Sequence, residues 1–252
     1  MNERIIATEE HSTAAEHANR NQLLRLFRNS PIPERELLSN LALFTNRQTL
    51  ARILFLHDLY RRILTVHGVV MEFGVRWGRN LALFESLRGM YEPFNYTRKI
   101  IGFDTFAGFP GVGKEDRMSD KVLAGGYAVT ENYETFLDAV LTCHEEESPI
   151  SHLRKYELIK GDATVEVDRY LQANPQTIIA FAWFDMDLYA PTKQVLETIR
   201  PYLTRGSVLG FDELNHVDFP GETQAVRDVL GLDRYRIERS PLTPSQAFMV
   251  IE

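Results

Sequence analysis

The chain has 252 residues, of which 44% are hydrophobic and 25% charged, with a formal net charge of -7. This is the profile of a globular chain long enough for one large α/β domain with additions; the acidic balance argues against general affinity for nucleic acid or anionic membranes and favours small-molecule partners. A single cysteine, Cys143, forbids an internal disulfide, and no apolar run is long enough for a signal core or a bilayer span, which points to the cytoplasm.

In chain order, residues 1–20 are polar and read as a poorly ordered or partner-dependent arm. A short helix is predicted from Asn21 on the spacing of Leu23, Leu24, Leu26 and Phe27, interrupted by Pro31 and Pro33 before Leu37 to Phe44. Asn46 is placed to cap a helix running from Arg47 towards Val66, whose wide apolar face should lie against a sheet. Residues 1–67 thus form an N-terminal arm and helices, suited to a lid or a dimer contact, and 68–252 the main α/β domain.

That domain opens with a buried strand, Val69 to Phe73, then a glycine turn, Gly74-Val-Arg-Trp-Gly78, and a helix from Arg79. The glycines allow close backbone approach to a ligand, and the helix start offers free N–H groups to an anionic part of it; the full dinucleotide fingerprint is absent. Arg76 and Trp77 sit at the tip of the turn, within reach of a cofactor or an acceptor. A second strand, Lys99 to Phe103, closes with Asp104, the position where doubly wound folds grip ribose hydroxyls, although capping of the loop is the plainer role. Thr105 to Tyr127 is glycine-rich without periodicity and predicts a lid loop. Glu131 to Glu145 is helical, with Glu145-Glu146-Glu147 as a solvated end. Tyr156 to Ile159 is a third strand, followed by Asp162 and Ala163, where Asp162 can either accept from an adenine amino group or cap the next helix.

The fourth strand, Ile178 to Phe184, ends in Asp185 and Asp187, which share one side if the pleat persists. Their repulsion calls for a metal ion, a proton on one acid, or a cationic neighbour. A fifth strand, Ser207 to Phe211, ends in Asp212-Glu213, so parallel pairing gathers four carboxylates at one crevice. A helix over Gly221 to Leu230 and two strands, Tyr235 to Arg239 and Gln246 to Ile251, complete a sheet with an antiparallel hairpin. The expected fold is therefore α/β, a doubly wound, Rossmann-like, mostly parallel sheet with a C-terminal antiparallel hairpin, plus N-terminal helices.

Glu72-Phe-Gly-Val-Arg-Trp-Gly78, Gly102-Phe-Asp-Thr-Phe-Ala-Gly-Phe-Pro110, Asp185-Met-Asp-Leu-Tyr189 and Gly210-Phe-Asp-Glu213 resemble motifs of the class I S-adenosylmethionine-dependent methyltransferases. More narrowly they are similar to the macrocin O-methyltransferase (TylF/MycF-type) family of antibiotic deoxysugar methyltransferases, and within reach of sugar methyltransferases of enediyne pathways such as that of calicheamicin. The resemblance covers about Val69 to the end. It implies cofactor contacts from Glu72, Gly74, Arg76, Gly78, Asp104, Thr105, Asp162, Ala163 and Asp185. It also implies magnesium on Asp185, Asp212 and Glu213, and Asp187 as general base, with His216 a rival. Glu213 stands where the family usually has Asp, one methylene shorter.

Chemically, a divalent ion lowers the pKa of a sugar hydroxyl while a carboxylate takes its proton, and hard oxygen donors favour magnesium or calcium over zinc. The expected activity is metal-assisted methylation of a sugar hydroxyl on a glycosylated natural product. The expected partners are a small glycoside or sugar acceptor and further copies of the chain. Rival readings are a nicotinamide-dependent oxidoreductase and a non-catalytic nucleotide-binding regulator.

Overall fold

The computed structural model describes residues 12–116 and 122–252. Seven strands form one sheet in the order β3-β2-β1-β4-β5-β7-β6. They are β1 (Val69–Phe73), β2 (Ile100–Asp104), β3 (Tyr156–Lys160), β4 (Ile179–Phe184), β5 (Leu203–Phe211), β6 (Glu238–Arg239) and β7 (Ala247–Val250). The first five are parallel, while β7 runs antiparallel to both β5 and β6. The expected doubly wound sheet with a terminal antiparallel hairpin is the one observed.

Eight α-helices accompany it among the described residues: α1 (Ala14–Arg28), α2 (Glu34–Leu37), α3 (Arg47–Arg62), α4 (Arg79–Tyr91), α5 (Tyr133–Glu147), α6 (Ala163–Ala173), α7 (Tyr189–Ile199) and α8 (Gly221–Val229). Strand alternation sends side chains to two cores, because successive residues of a strand face opposite sides. Val69, Met71 and Phe73 of β1 join Val167, Leu196 and Val226 of α6, α7 and α8 on one side. Val70 of β1 joins Phe55, Leu59, Phe84 and Leu141 of α3, α4 and α5 on the other. The central strands are thus covered on both faces, which is why they read as continuous apolar runs. No helix among the described residues is long and apolar enough to cross a membrane.

Several elements depart from their predicted form. The arm expected over 1–20 falls partly outside the described residues, but α1 already begins at Ala14, set by a capping box in which Thr13 and Glu16 exchange hydrogen bonds. Asn46 does cap α3, accepting from Thr49 N at 2.8 Å. The apolar face of α3 is divided, however: Phe55, Leu56, Leu59 and Tyr60 are buried, whereas Leu50, Ile53 and Leu54 are exposed. Glu145 is not a solvated helix end. It is buried and paired with Arg88, whose Nη2 lies 3.2 Å from Oε1, and with Lys155.

Candidate active site

The sheet ladder itself assembles the site. Gly74 N donates to Phe103 O at 3.0 Å, Asp185 N to Phe73 O at 2.9 Å and Asp212 N to Phe184 O at 3.0 Å, so the residues that follow β1, β4 and β5 stand side by side. This is the carboxyl edge of the sheet where chain order reverses, between β1 and β4, the usual location of a ligand crevice in such sheets. The approach is close: a Cβ on Gly74, which has φ +89°, would lie 1.9 Å from the Asp185 carbonyl oxygen.

A cleft of about 260 Å³ opens there. Of the residues singled out in the sequence, Gly74, Arg76, Asp104, Thr105, Asp162, Ala163, Asp185, Asp187, Asp212 and Glu213 all line it. Glu72, Gly78 and His216 do not. Glu72 is fully buried behind the cleft and accepts from Asn80 Nδ2 at 2.6 Å. Gly78, with φ +76°, is the residue preceding α4, and a Cβ there would strike the Leu137 side chain. His216 stands beside Glu213, with Nε2 3.9 Å from its Oε2, and its Nδ1 accepts from Asp218 N at 3.3 Å.

Asp104 fastens two walls of the cleft. Its Oδ2 accepts from Arg76 N at 2.7 Å and its Oδ1 from Phe106 N at 2.6 Å, and both donors sit in left-handed backbone, with φ 49° and 56°. Asp162 is a helix cap: Oδ1 accepts from Thr164 N at 2.9 Å and from Thr164 Oγ1 at 2.7 Å. The long loop after β2 folds over the opening through Gly108, Phe109, Pro110 and Tyr127. Arg76 lies over the Tyr127 ring, 4.7 Å from guanidinium carbon to centroid. Asp116 pins this loop to α7, accepting from Tyr189 N at 2.7 Å. Arg76 Nε is buried without a hydrogen-bond partner, a donor directed at no acceptor within the protein.

The acids are brought together by a route different from strand alternation. β4 ends at Phe184, and Asp187 adopts φ 62°, so a left-handed turn returns it to the side of Asp185. One of the three expected remedies for their repulsion is present, and the surroundings favour a second. A cation enters from α3: Arg52 Nη2 is 2.8 Å from Asp185 Oδ2 and Nη1 is 2.6 Å from Asp212 Oδ1. Burial opposes ionisation of Asp212, yet Arg52 and Gln246 outweigh it and hold this carboxyl below its ordinary range. The one favoured is a proton on an acid. Burial, then Asp185 and Asp212, push Asp187 well up, and burial, then Asp212 and Asp187, push Glu213 up as well.

The third remedy, a metal ion, would meet oxygen donors. Carboxylate oxygens suit a hard divalent cation, and Glu213 Oε2 is buried with no hydrogen-bond partner. The spacing is less complete, for among the described residues no three acids, histidines or cysteines stand together as an ion-binding group. Sequence reasoning missed Arg52, Asn80, Gln246 and Glu222. Arg52 carried a signal: it lies at i, i+4, i+7 and i+8 spacing with Leu56, Leu59 and Tyr60, and a cation on the buried stripe of a helix requires an acid opposite it.

The calicheamicin methyltransferase CalS11 is 47% identical, matched over 96% of this chain and 94% of that one, with a TM-score of 0.93. An apo structure of CalS11, described as a TDP-rhamnose 3'-O-methyltransferase of calicheamicin biosynthesis, is 44% identical over 96% of each chain, with a TM-score of 0.85. The O-methyltransferase NovP, 14% identical over 93% of this chain and 98% of its own, shares the fold with a TM-score of 0.62. No protein-family model matches the chain. No curated protein matches it either.

Proposed function

This chain belongs to the calicheamicin-type family of S-adenosylmethionine-dependent O-methyltransferases, and from that premise we propose that its acceptor is a hydroxyl of a nucleotide-linked deoxysugar. The CalS11 relative acts on TDP-rhamnose. The observation that carries the reading is the convergence of Asp185, Asp187, Asp212 and Glu213 on the cleft that Arg76 and Asp104 also line. A sugar nucleotide is a narrower form of the glycoside or sugar acceptor expected from sequence. The oxidoreductase and regulatory readings give way to the family membership.

When bound, S-adenosylmethionine supplies a methyl group on a positively charged sulfur. Arg76 fits its acidic end, because the buried, unpaired Nε seeks a carboxylate. Asp104, already tying Arg76 to Phe106, would meet the ribose hydroxyls, and Asp162 and Ala163, which also line the cleft, would meet the adenine. Asp187 is the general base: it lines the cleft, whereas His216 does not. Burial, with Asp185 and Asp212 beside it, pushes the Asp187 carboxyl up, and a raised pKa makes a carboxylate a stronger base. Asp185, Asp212 and Glu213 offer oxygens of the kind magnesium takes, but among the described residues they do not stand together as an ion-binding group, and the positive charge beside Asp185 and Asp212 comes from Arg52.

The N-terminal helices support self-association. Helix α1 buries none of its residues, and Leu24, Leu26, Leu41, Leu43, Leu50 and Leu54 are exposed, apolar side chains that a second copy would take out of water. A dimer covering this face is expected in light scattering, and a monomer at micromolar concentration removes it. The acceptor assignment is tested by incubating the protein with S-adenosylmethionine, magnesium and TDP-rhamnose, then reading one added methyl group by mass spectrometry. Methylation of a glycosylated product but of no sugar nucleotide would overturn it.

A further inference from the structure

We propose that Arg52 is a positioning residue of the methyl-transfer centre, a guanidinium clamp that fixes the acid-bearing ends of β4 and β5 from behind the cleft. The inference rests on the acid cluster being the reaction centre. One planar fork serves three elements: Nη2 donates to Asp185 Oδ2 at 2.8 Å, Nη1 to Asp212 Oδ1 at 2.6 Å, and Nε to Asn80 Oδ1 at 3.2 Å. Asn80, in the first turn of α4, passes the constraint on through Nδ2 to Glu72 Oε1 at 2.6 Å. The guanidinium also rests over Trp183, 5.5 Å from the ring centroid.

Location separates this role from that of a ligand-binding arginine. Asp185, Asp212 and Asn80 line the cleft, and Arg52 does not. Gln246, equally outside the lining, donates Nε2 to the same Asp212 Oδ1 at 2.5 Å. Each acid is thereby held through one oxygen, while Asp185 Oδ1 and Asp212 Oδ2 are taken by neither Arg52 nor Gln246. The clamp sets the rotation of both carboxylates and so decides which way those remaining oxygens point. A lysine carries the charge but cannot reproduce two fixed, diverging bonds. Arg52 lies 160 residues before Asp212 in the chain, on a helix that precedes the first strand, so the N-terminal helices contribute to the chemistry and not only to its cover.

The experiment compares full-length wild type with R52K, R52Q, R52A and D187N, measuring kcat, KM for both substrates, S-adenosylhomocysteine affinity and thermal melting. Outer partners of reacting carboxylates change function by ~10- to 100-fold when removed, so R52K and R52Q should lose at least ~10-fold in kcat. Their affinity for S-adenosylhomocysteine should stay near wild type, and methylguanidinium should restore part of the turnover of R52A. Wild-type kcat in R52K would show that charge alone matters and would sink the clamp. A parallel fall of kcat, cofactor affinity and melting temperature, without methylguanidinium rescue, would reduce Arg52 to a packing residue. Should D187N turn over at the wild-type rate, the reaction-centre reading itself fails; if D187N is impaired and R52K is not, only the clamp fails.

Discussion

The carboxylate of Glu222 accepts the backbone N–H of Glu213 at 3.0 Å. Its other oxygen faces Met186 N at 3.4 Å, so one side chain on α8 ties the turn after β4 to the turn after β5. Glu222 is fully buried, and burial together with Asp187 pushes its carboxyl well above the ordinary range. E222A leaves one buried and one partly buried N–H group without an acceptor and should cost about 2–6 kcal/mol in urea denaturation, at about 1–3 kcal/mol for each lost partner. E222Q, which keeps one acceptor oxygen, should lose less. Equal stability of E222A and wild type would show that these bonds are replaced by water.

Gly74 admits no side chain. At φ +89° an L-residue is strained, and a Cβ would lie 1.9 Å from the Asp185 carbonyl oxygen, which belongs to backbone and cannot swing away. Left-handed strain costs on the order of 1–3 kcal/mol before the clash is counted. G74A is therefore expected to unfold at clearly lower urea concentration than wild type and to lose S-adenosylhomocysteine binding in calorimetry. Retained binding would mean that the ends of β1 and β4 can part without harm to the cleft.

Loss of Asp104 should act on the cofactor more than on the acceptor. D104A frees Arg76 N and Phe106 N from a charged acceptor, bonds worth about 1.5–3 kcal/mol each. Both donors then lose the restraint that keeps them left-handed. S-adenosylhomocysteine affinity should fall by at least ~10-fold by calorimetry, with the acceptor KM changed less.

Glu85 gives a pH dependence remote from the cleft. It is buried on α4, neither oxygen has a hydrogen-bond partner, and burial pushes its carboxyl up to about 8. Near pH 4 and below the group is protonated whether the chain is folded or not, and its contribution is fully present. As pH rises from about 4.5 towards about 8, the unfolded chain ionises Glu85 while the folded chain resists, so stability is lost across that window. The slope from one such group is at most ~1.4 kcal/mol per pH unit. Melting temperatures measured from pH 5 to pH 8 should fall more steeply for wild type than for E85Q. Parallel curves would show that Glu85 ionises in the folded protein as it does in water.

The sheet was legible because its central strands are short apolar runs, each stopped by a polar or glycine residue, and a parallel ladder leaves little choice in how such runs align. The cofactor side of the cleft was legible for the same reason, since Gly74, Asp104, Asp162 and Asp185 all lie within a few residues of strand ends. What escaped depends on partners distant in sequence. Arg52 meets its acids only after α3 has docked on the sheet, and Glu145 looks solvated until Arg88 and Lys155 close on it. Only the first half of helix α1 escaped, for the opposite reason: its second half was legible in the spacing of Leu23, Leu24, Leu26 and Phe27, whereas residues 14–20 are polar and their helical start is fixed by the local exchange between Thr13 and Glu16. The approach of Asp187 to Asp185 was expected from strand alternation but is made by the left-handed backbone of Asp187 itself, three residues beyond the end of β4.

The amide ladder that links Phe73 to Asp185 and Phe184 to Asp212 has a bearing on how this scaffold can be altered. Neighbouring parallel strands are spaced about 4.8 Å apart whatever their side chains, so the pitch between the two acids is a property of the sheet. The loop from Thr105 to Tyr127 obeys no such rule. Redesign for a new sugar has most freedom in that loop, where length and shape can vary while the reacting carboxylates keep their interval.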